Sequence, residues 1–591
     1  GFSKPEPMPS TFESILRTPK TNSIVGSLSK CPIKVPTVDD LRAIVPADVG
    51  LTDGQQIELA GYYGPDDAGG GLFYYDAASV EDDNGGTIFA PDSGDGRYYR
   101  IFDGPVNIRW FGAIGDAAHN AADTDALQAA LDTGLAVYIP PADASAWNFE
   151  QFTINSNYQQ IFGEAGQGGT IVNLLDATTG CIIGNSVSQI LDVAFTNIKF
   201  VGLVGQTAFW SKYVRGLTFE NCTGTFDRFI DLGDGNTLGA PTYVFELYDC
   251  EFHHIAAATK HFIRAWNFQG QFDYTNTFTE GLQIAGLDGF YATDNIQARI
   301  DHIIVQGGYF SRFRDNWSFV DARVVNAYWS NHLSELALRN AFRFEVTSST
   351  AKATGSVGGE YLNFSNVNLN ATGHGFYFKV NRASVEIASV LINGVQFTTA
   401  GGLTSDGLIY AEGSLGYLDG FRVFSSGIVS APTNGACYGI TIAGPYVRNL
   451  SMDNIEIKGS GTNWLVGVYL SSGGSFTDIN IGVVNGEFTT TYVSDTTGKA
   501  LIQPNYTYTT TTSAINFGTV GANATVGDNI LHTGVKAGDE VTVTDLTGVA
   551  GIVFTGWINT DNSIYVRANN VTTGGIVTGT PSLRIVVRGW R

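Results

Sequence analysis

A short motif that recurs about every 29 residues constrains the fold of this chain more than any other feature. It has the form apolar–x–(Asn/Asp/Gly/Ser)–x–x–(usually apolar), as in the segments "FTNIKF", "FENCTG" and "FSNVNL". Its turn residue, the third position, falls at 197, 221, 249, 276, 307, 331, 366, 394, 426, 454 and 485. A repeat of this length with short extended segments and almost no helical pattern predicts a parallel β-helix, in which each copy is one coil and coils stack ~4.8 Å apart.

Aligning the copies gives columns of similar character, which supports this interpretation. The position two residues before the turn is apolar throughout: Phe195, Phe219, Leu247, Tyr274, Val305, Trp329, Phe364, Ile392, Phe424, Met452 and Val483. The position just before the turn is mostly polar, so the period-2 alternation predicts one inward and one outward face. The turn favours Asn, Asp and Gly because a bend between strands often needs positive φ. We therefore expect Trp329 in the core, and Cys222 and Cys250 as buried thiols on adjacent coils.

The remaining segments predict an all-β chain in four parts. Residues 1–35 are polar and aperiodic and predict a linker or the tail of a preceding domain, since the chain begins with Gly1 rather than Met. Residues 36–105 hold short β-like runs split by glycine clusters and predict a small N-terminal β-domain. The β-helix would span 106–495, opened by a capping helix over 123–134 with Asp123 or Thr124 as its N-cap. Residues 496–591 predict a C-terminal β-domain of sandwich or jelly-roll type, for trimerisation or carbohydrate binding.

Charge and cysteine usage exclude several classes of function. A net charge of −23, from 33 basic and 56 acidic residues, argues against nucleic acid and anionic membranes as main partners. No apolar stretch approaches the roughly 18 residues of a membrane span. The five cysteines form no CxxC pair and the histidines no HExxH spacing, so the sequence predicts no disulfide framework, no metal and no cofactor.

The segment "WFGAIGDAAHNAADTDALQAALD" (110–132) resembles the opening motif of phage tailspikes of the pectate-lyase-like superfamily. It keeps Phe111, Gly112, Ala113, Gly115, Asp116, Asp123, Thr124, Ala126 and Gln128, and departs where Ala117 replaces the usual glycine. The upstream "GYYGPDDAGGGLFYYD" is similar to the small domain that precedes many such helices. The resemblance implies a right-handed parallel β-helix and a homotrimer on the virion tail. It also implies host attachment, depolymerisation of capsular polysaccharide or O-antigen, and a preceding virion-attachment domain. It says little about substrate, because such folds host different activities.

Hydrolysis of a glycosidic bond needs two carboxylates on one groove, about 5–5.5 Å apart for retention and about 6.5–9.5 Å for inversion. The alignment places Glu280 and Glu335 on one outward column two coils apart, ~9.6 Å at the coil spacing. Glu246 and Asp273 lie on adjacent coils, ~4.8 Å apart. Asp301 pairs with Glu360 at a less regular corner. We predict Glu335 and Glu280 as the catalytic acid and base, with Asp273, Glu246 and Asp301 as alternates.

The central coils are the most charged part of the repeat, and they predict where a polymer binds. Residues 280–345 contain 14 charged residues in 66, about 21%, against 15% for the whole chain. The arginines could neutralise an acidic sugar, and aromatic rings could stack on sugar faces. The predicted substrate-binding residues are Tyr291, Arg299, His302, Tyr309, Arg312, Arg314, Trp317 and Tyr328.

Three activities remain open at this point. An endo-acting glycoside hydrolase is favoured. The first alternative is a polysaccharide lyase, in which a central arginine or His302 would neutralise a uronate carboxylate or act as the base. The second is a non-enzymatic adhesin that only binds the polysaccharide.

Overall fold

A computed structural model shows the architecture of the chain, which divides into two compact units, Gly1–Asp103 and Gly104–Arg591. It describes residues 32–166, 169–234, 240–282, 284, 286–293, 299–347, 357–382, 385–399, 408–413, 416–428, 437–443, 446–457, 464–471, 475–482, 484–486, 491–495, 500–502, 507–512, 517–531, 539–560, 563–579, 581 and 583–588. Helices occupy Val38–Arg42 (α1), Ile108–Phe111 (a single 3-10 turn) and Asn120–Asp132 (α2). Within these residues, no helix has the length and apolar character needed to cross a membrane.

The first unit contains a five-stranded sheet with its own hydrophobic core. Its strands are Ile33–Val35, Gln56–Leu59, Gly71–Asp76, Ile88–Phe89 and Arg97–Ile101. The first two strands pair in parallel and the others are antiparallel. Phe73, Phe89 and Tyr98 are fully buried in its core. The buried Arg100 guanidinium donates to the backbone carbonyls of three loop glycines and lies 4.7 Å from the Phe73 ring centroid.

The second unit is dominated by three parallel sheets that run side by side along its length. Sheet 1 contains Val106–Asn107, Val137–Tyr138, Gln160–Phe162, Ile190–Thr196, Val214–Glu220, Thr242–Tyr248, Phe268–Thr275, Arg299–Gln306, Arg323–Ser330, Val357–Ser365, Glu386–Asn393, Tyr417–Asp419, Arg422–Phe424, Tyr446–Asp453, Ser475–Ile481 and Ala500–Ile502. Sheet 2 contains Trp147–Phe149, Ile171–Leu174, Lys199–Val201, Thr223–Phe226, Glu251–His254, Phe278–Glu280, Tyr309–Ser311, Leu333–Ala337, Asn368–Ala371, Gln396–Thr399, Gly427–Ile428, Ile455–Ile457 and Val484–Gly486. Sheet 3 contains Phe152–Ile154, Thr179–Ile183, Thr207–Ser211, Arg228–Leu232, Ile263–Ala265, Phe290–Thr293, Asp315–Val320, Asn340–Val346, Phe376–Val380, Ile409–Gly413, Cys437–Ala443, Trp464–Leu470 and Thr491–Asp495.

The pairing register confirms the predicted all-β fold with a parallel β-helix. In sheet 1 the inward column pairs residue with residue through Phe195, Phe219, Leu247, Tyr274, Val305, Trp329, Phe364 and Ile392. All of these side chains are buried, and neighbouring rings stack, as Phe195 does on Phe219 with centroids 4.9 Å apart. The predicted turn residues Asn197, Asn221, Asp249, Asn276 and Asn331 all have positive φ. Cys222 and Cys250 are buried free thiols, as expected.

The predicted column is wrong in its last coils. Val423, not Phe424, pairs with Ile392 and with Met452. Sheet 1 is interrupted between Asp419 and Arg422, and the inward position of this coil is therefore one residue earlier than the alignment predicts. In the next coil Ile481 takes the inward place opposite Met452. Val483, which the alignment assigned to that place, lies outside the described residues.

The capping helix begins earlier than the sequence motif predicted. α2 starts at Asn120, with His119 as its N-cap, so Asp123 and Thr124 lie inside its first turns. The Asp123 carboxylate is fully buried and accepts the backbone N–H groups of Ile114 (2.6 Å) and Gly115 (3.0 Å). This carboxylate of the motif therefore holds the preceding turn, and burial raises its pKa despite these two hydrogen bonds.

Parallel pairing continues to Ile502, past the predicted end of the helix at 495, and antiparallel strands follow. They are Thr507–Thr512, Gly518–Val520, Thr525–Leu531, Glu540–Asp545, Ile552–Thr560, Ser563–Asn570, Ile576–Gly579 and Leu583–Arg588. They form small sheets around a separate core that includes Phe517, Ile564, Val566 and Ile585.

Candidate functional site

The carboxylates predicted as acid and base share one column of sheet 2. His253, Glu280, Ser311 and Glu335 pair in direct register on successive coils, so Glu280 and Glu335 are two coils apart, ~9.6 Å at the coil spacing. The Glu280 side chain is 23% exposed and is bound by Arg312 (Nη1–Oε1 2.8 Å) and His253 (Nδ1–Oε2 3.4 Å). Glu335 is half-buried, and its backbone carbonyl accepts from the Arg312 amide and the Asn316 side chain.

An aromatic pair flanks this column on the same sheet. The rings of Phe278 and Tyr309 stack with centroids 4.6 Å apart and planes 17° apart, and both side chains are half-buried. Burial raises the pKa of the Tyr309 hydroxyl, and the negative charges of Glu335 and Glu280 raise it further. Phe278 and Tyr309 are two residues before Glu280 and Ser311 in their strands, so the two rings lie on the same face of sheet 2 as the carboxylate column.

The alternate pair, Glu246 and Asp273, lies on sheet 1. The two residues pair directly on adjacent coils, and Glu246 accepts a hydrogen bond from Thr218 Oγ1 (2.8 Å). Asp273 is only 8% exposed and accepts from Gln271 Nε2 (2.8 Å). Burial raises the Asp273 pKa, and the charge of Glu246 adds to this effect.

Three further predicted residues lie on sheet 1. His302 pairs with Gln271 in register, and its ring centroid is 6.1 Å from that of the exposed Tyr328. Asp301 falls in the register shift between the pairs Gly270–Ile300 and Gln271–His302, so the pairing skips it. Glu360, its expected partner, pairs with Val325.

Most arginines of the central coils are engaged by carboxylates of the chain itself. The pairs are Arg312–Glu280, Arg314–Asp288, Arg339–Asp315 and Arg343–Glu345, and Arg264, just before these coils, pairs with Asp231. Arg314, predicted to bind substrate, forms two hydrogen bonds of 2.7 Å to the buried Asp288 carboxylate. The backbone of Arg299 belongs to sheet 1, opposite Arg323, and its side chain lies outside the described residues.

Trp317 is a core residue, which corrects its predicted role in substrate binding. Its side chain is fully buried, with its ring centroid 4.8 Å from that of Phe310, and its Nε1 donates to His332 Nε2 (3.3 Å). Sheet 3 pairs it with the buried Phe290 and Phe342, which places it in an inward column. Tyr291 is on the outward side of the same sheet and stacks on His261 with centroids 4.2 Å apart.

A concave pocket of about 400 Å³ opens at the corner between sheets 2 and 3, and we call it the corner pocket. Two successive coils form it, through Leu338, Arg339, Asn340, Arg343, Glu345, Thr372, Gly373, His374 and Tyr377. Glu335 is three residues before Leu338 in the same coil, so the carboxylate column of sheet 2 adjoins the pocket.

Sequence reasoning missed the aromatic wall of this pocket. Tyr377 and Tyr410 pair in register on adjacent coils and stack with centroids 5.7 Å apart, and the His374 ring is 4.9 Å from Tyr410. The sequence does contain a signal for this wall, since Tyr377 and Tyr410 are about one coil apart. They lie outside the repeat motif, however, and the motif marks only sheets 1 and 2. Among the residues that the structure describes, no group of three or more His, Cys, Asp or Glu side chains is placed to hold a metal ion.

Comparison with known proteins identifies the N-terminal sheet. Residues 34–103 match the family described as the phage tail protein small four-stranded beta-sheet domain. A defective tail fiber protein of a Mu-like prophage of Haemophilus influenzae is 35% identical over 98 residues, which is 16% of this chain and 15% of that protein. The chain thus matches only a small part of the length of this curated relative.

The solved structures that match the chain include phage tailspikes, at low identity and low TM-score. The tailspike of Acinetobacter phage vB_ApiP_P1 is 16% identical, with 95% of this chain and 99% of that chain covered and a TM-score of 0.39. A tailspike of E. coli bacteriophage HK620 is 12% identical, with 86% and 97% covered and a TM-score of 0.44. The β-helix itself is established by the strand pairing described above. The chain therefore carries a phage-tail β-sheet domain, which places it in the virion tail, and this domain precedes a parallel β-helix.

Proposed function

We propose that the chain is a phage tailspike that binds a bacterial capsular polysaccharide or O-antigen and hydrolyses glycosidic bonds within it. It acts as a homotrimer and is joined to the virion through its N-terminal side. The phage-tail domain at 34–103, the β-helix and the resemblance of residues 110–132 to the tailspike opening motif support this proposal.

One observation carries the assignment of hydrolysis to a site. Glu280 and Glu335 share an outward column beside the stacked rings of Phe278 and Tyr309, next to the corner pocket. Carboxylates that flank a sugar-stacking surface are what an oxocarbenium-like transition state requires.

The contacts of the two carboxylates suggest their roles. Glu280, held by Arg312 and His253, is the base that takes a proton from the attacking water. Glu335, for which the described residues provide no ion pair, donates its proton to the leaving glycosidic oxygen as the carbon–oxygen bond breaks. The two coils that separate the backbones of Glu280 and Glu335 span ~9.6 Å, close to the upper limit of about 9.5 Å between carboxyl groups in inverting enzymes and far above the retaining distance of about 5–5.5 Å, so we propose inversion at the anomeric carbon.

The arginine pairing favours hydrolysis over elimination. A lyase must neutralise the carboxylate of a uronate before a base removes the neighbouring proton. Near the proposed site, Arg312, Arg314, Arg339 and Arg343 already bind Glu280, Asp288, Asp315 and Glu345. An incoming uronate would have to displace a carboxylate of the chain to gain such a partner.

Glu246 and Asp273 are the second candidate pair for the same reaction. The raised Asp273 pKa favours a protonated acid next to a carboxylate, and adjacent coils give ~4.8 Å, near the retaining distance. The Oδ1 atom of Asp273 is buried, however, which makes it poorly accessible to a polymer.

Four variants test the assignment against a panel of purified capsular and O-antigen polysaccharides, with release of reducing ends as the readout. Glu335→Gln and Glu280→Gln should each lower the cleavage rate at least ~100-fold while binding and melting temperature stay unchanged. Glu246→Gln and Asp273→Asn are the matched controls and should retain cleavage. Loss of cleavage in Glu246→Gln and Asp273→Asn, with cleavage retained in Glu335→Gln and Glu280→Gln, would assign catalysis to the pair on sheet 1. Binding without cleavage by the native chain on every polymer would show an adhesin.

A further inference from the structure

We infer that the corner pocket binds one uncharged sugar ring of the polymer and selects against a ring that carries a carboxylate. This inference rests on the proposed function and names the substrate class for it. The volume of about 400 Å³ is within the range of small-molecule pockets, about 300–1,000 Å³.

One wall of the corner pocket is a supported aromatic ring. Arg343, Tyr377 and Tyr410 occupy the same column of sheet 3 on three successive coils. Tyr410 therefore backs Tyr377 on one side, with the ring planes only 7° apart, and the other face of Tyr377 is turned toward the coil of Arg343. A rigid aromatic face next to polar groups is suited to the C–H face of a pyranose ring.

The polar wall is an ion pair that is already formed. Arg343 donates through Nε (2.7 Å) and Nη2 to the same Oε2 of Glu345, and the two side chains are 16% and 12% exposed. Together they present both donors and an acceptor to sugar hydroxyls. Because each holds the other, little side-chain entropy is lost when a ring binds.

The charges of this pocket cancel. Arg339 and Arg343 are the cations of the lining, and they are offset by Glu345 and by the fully buried Asp315, which lies within 4 Å of both guanidinium groups. A ring with its own carboxylate would meet Glu345 without a spare cation, and like charges brought together discriminate against the wrong ligand. For Arg339 and Arg343, this inference differs from the sequence-based expectation that the central arginines neutralise an acidic sugar.

The test is saturation-transfer NMR on the full-length chain with three probes: methyl β-D-glucopyranoside, N-acetyl-D-glucosamine and sodium D-glucuronate. The neutral probes should show transfer from aromatic protons, and glucuronate should bind at least tenfold more weakly. Tyr377→Leu should lower binding of the neutral probes at least tenfold. Tyr446→Leu is the control, because the exposed Tyr446 also lies against a neighbouring tyrosine, Tyr417, with ring centroids 4.9 Å apart, but on sheet 1, and it should change nothing.

Glu345→Gln gives the sharper result, because it keeps the shape of the pocket and releases Arg343. Glucuronate binding should then rise at least tenfold. Equal binding of glucuronate and the neutral probes by the native chain, no transfer to any probe, or no effect of Glu345→Gln on glucuronate would each overturn the inference.

The inference and the proposed function fail separately. If a polysaccharide is cleaved in a Glu335-dependent manner but the pocket variants do not change probe binding, only the assignment of the pocket is wrong. If the probes behave as expected and no polysaccharide is cleaved, the binding pocket stands and the hydrolase does not.

Discussion

Replacing Trp317 separates a core role from a role in sugar binding. Its ring is fully buried, parallel to the ring of Phe342, in contact with Phe310 and hydrogen bonded to His332. Removing a buried tryptophan ring costs about 3–5 kcal/mol, because transfer free energy is lost and a cavity remains. Trp317→Phe keeps much of the volume but leaves His332 Nε2 without its donor, which costs about 1–3 kcal/mol. We therefore expect Trp317→Ala to destabilise the chain more than Trp317→Phe does.

Guanidinium unfolding followed by far-ultraviolet circular dichroism ranks these variants by their midpoints. Tyr328→Ala is the control, since this side chain is 41% exposed and should change stability by less than about 0.5 kcal/mol. Polysaccharide binding by folded Trp317→Phe should equal that of the native chain. The reasoning is refuted if Trp317→Phe keeps the native midpoint and loses binding.

Three further expectations concern charge and assembly. Asp315→Ala leaves Arg339 and Arg343 without their buried partner and should lower the free energy of unfolding by about 2–3 kcal/mol. This is less than the usual cost of breaking a buried pair, because Arg339 is partly exposed. A loss smaller than that caused by breaking the exposed Lys34–Glu58 pair would contradict this expectation. Burial lowers the pKa of His332 to about 4, so the native chain should lose about 3 kcal/mol of stability through this group as pH falls from about 6.5 to 4. Melting measured over this pH range should show a shallower loss of stability for His332→Asn. Sedimentation equilibrium should give about three times the chain mass of 63.2 kDa, and a monomer would contradict the trimer.

The repeat predicted sheets 1 and 2 well because its signal is local. The turn residue must adopt positive φ and the residue two places earlier must face inward, and both requirements show in one short segment, as at Asn221 and Phe219. The same alignment placed Glu280 and Glu335 on the column where the structure has them. It slipped at Phe424, where the strand is interrupted and counting from the turn no longer gives the register.

Sheet 3 and the corner pocket could not be predicted in this way. Corners of different length separate sheet 3 from the motif, so the repeat does not show that Trp317 faces inward, and the sequence predicts it as a substrate-binding residue instead. The pocket depends on contacts between coils, such as Tyr377 on Tyr410. The partners of the arginines are equally distant in sequence: Arg314 and Asp288 are one coil apart, and only the fold shows that they neutralise each other.

The most direct test of the central claim is the mass of the products formed in ¹⁸O-labelled water. A polysaccharide that the native chain shortens should be analysed by mass spectrometry and for ultraviolet absorbance. Hydrolysis by the Glu280–Glu335 pair predicts one labelled water incorporated for each bond broken, no unsaturated sugar, and no labelled product from Glu335→Gln. Unlabelled, ultraviolet-absorbing products would show elimination, and an intact polymer with every substrate tested would show binding alone; either result would contradict the account.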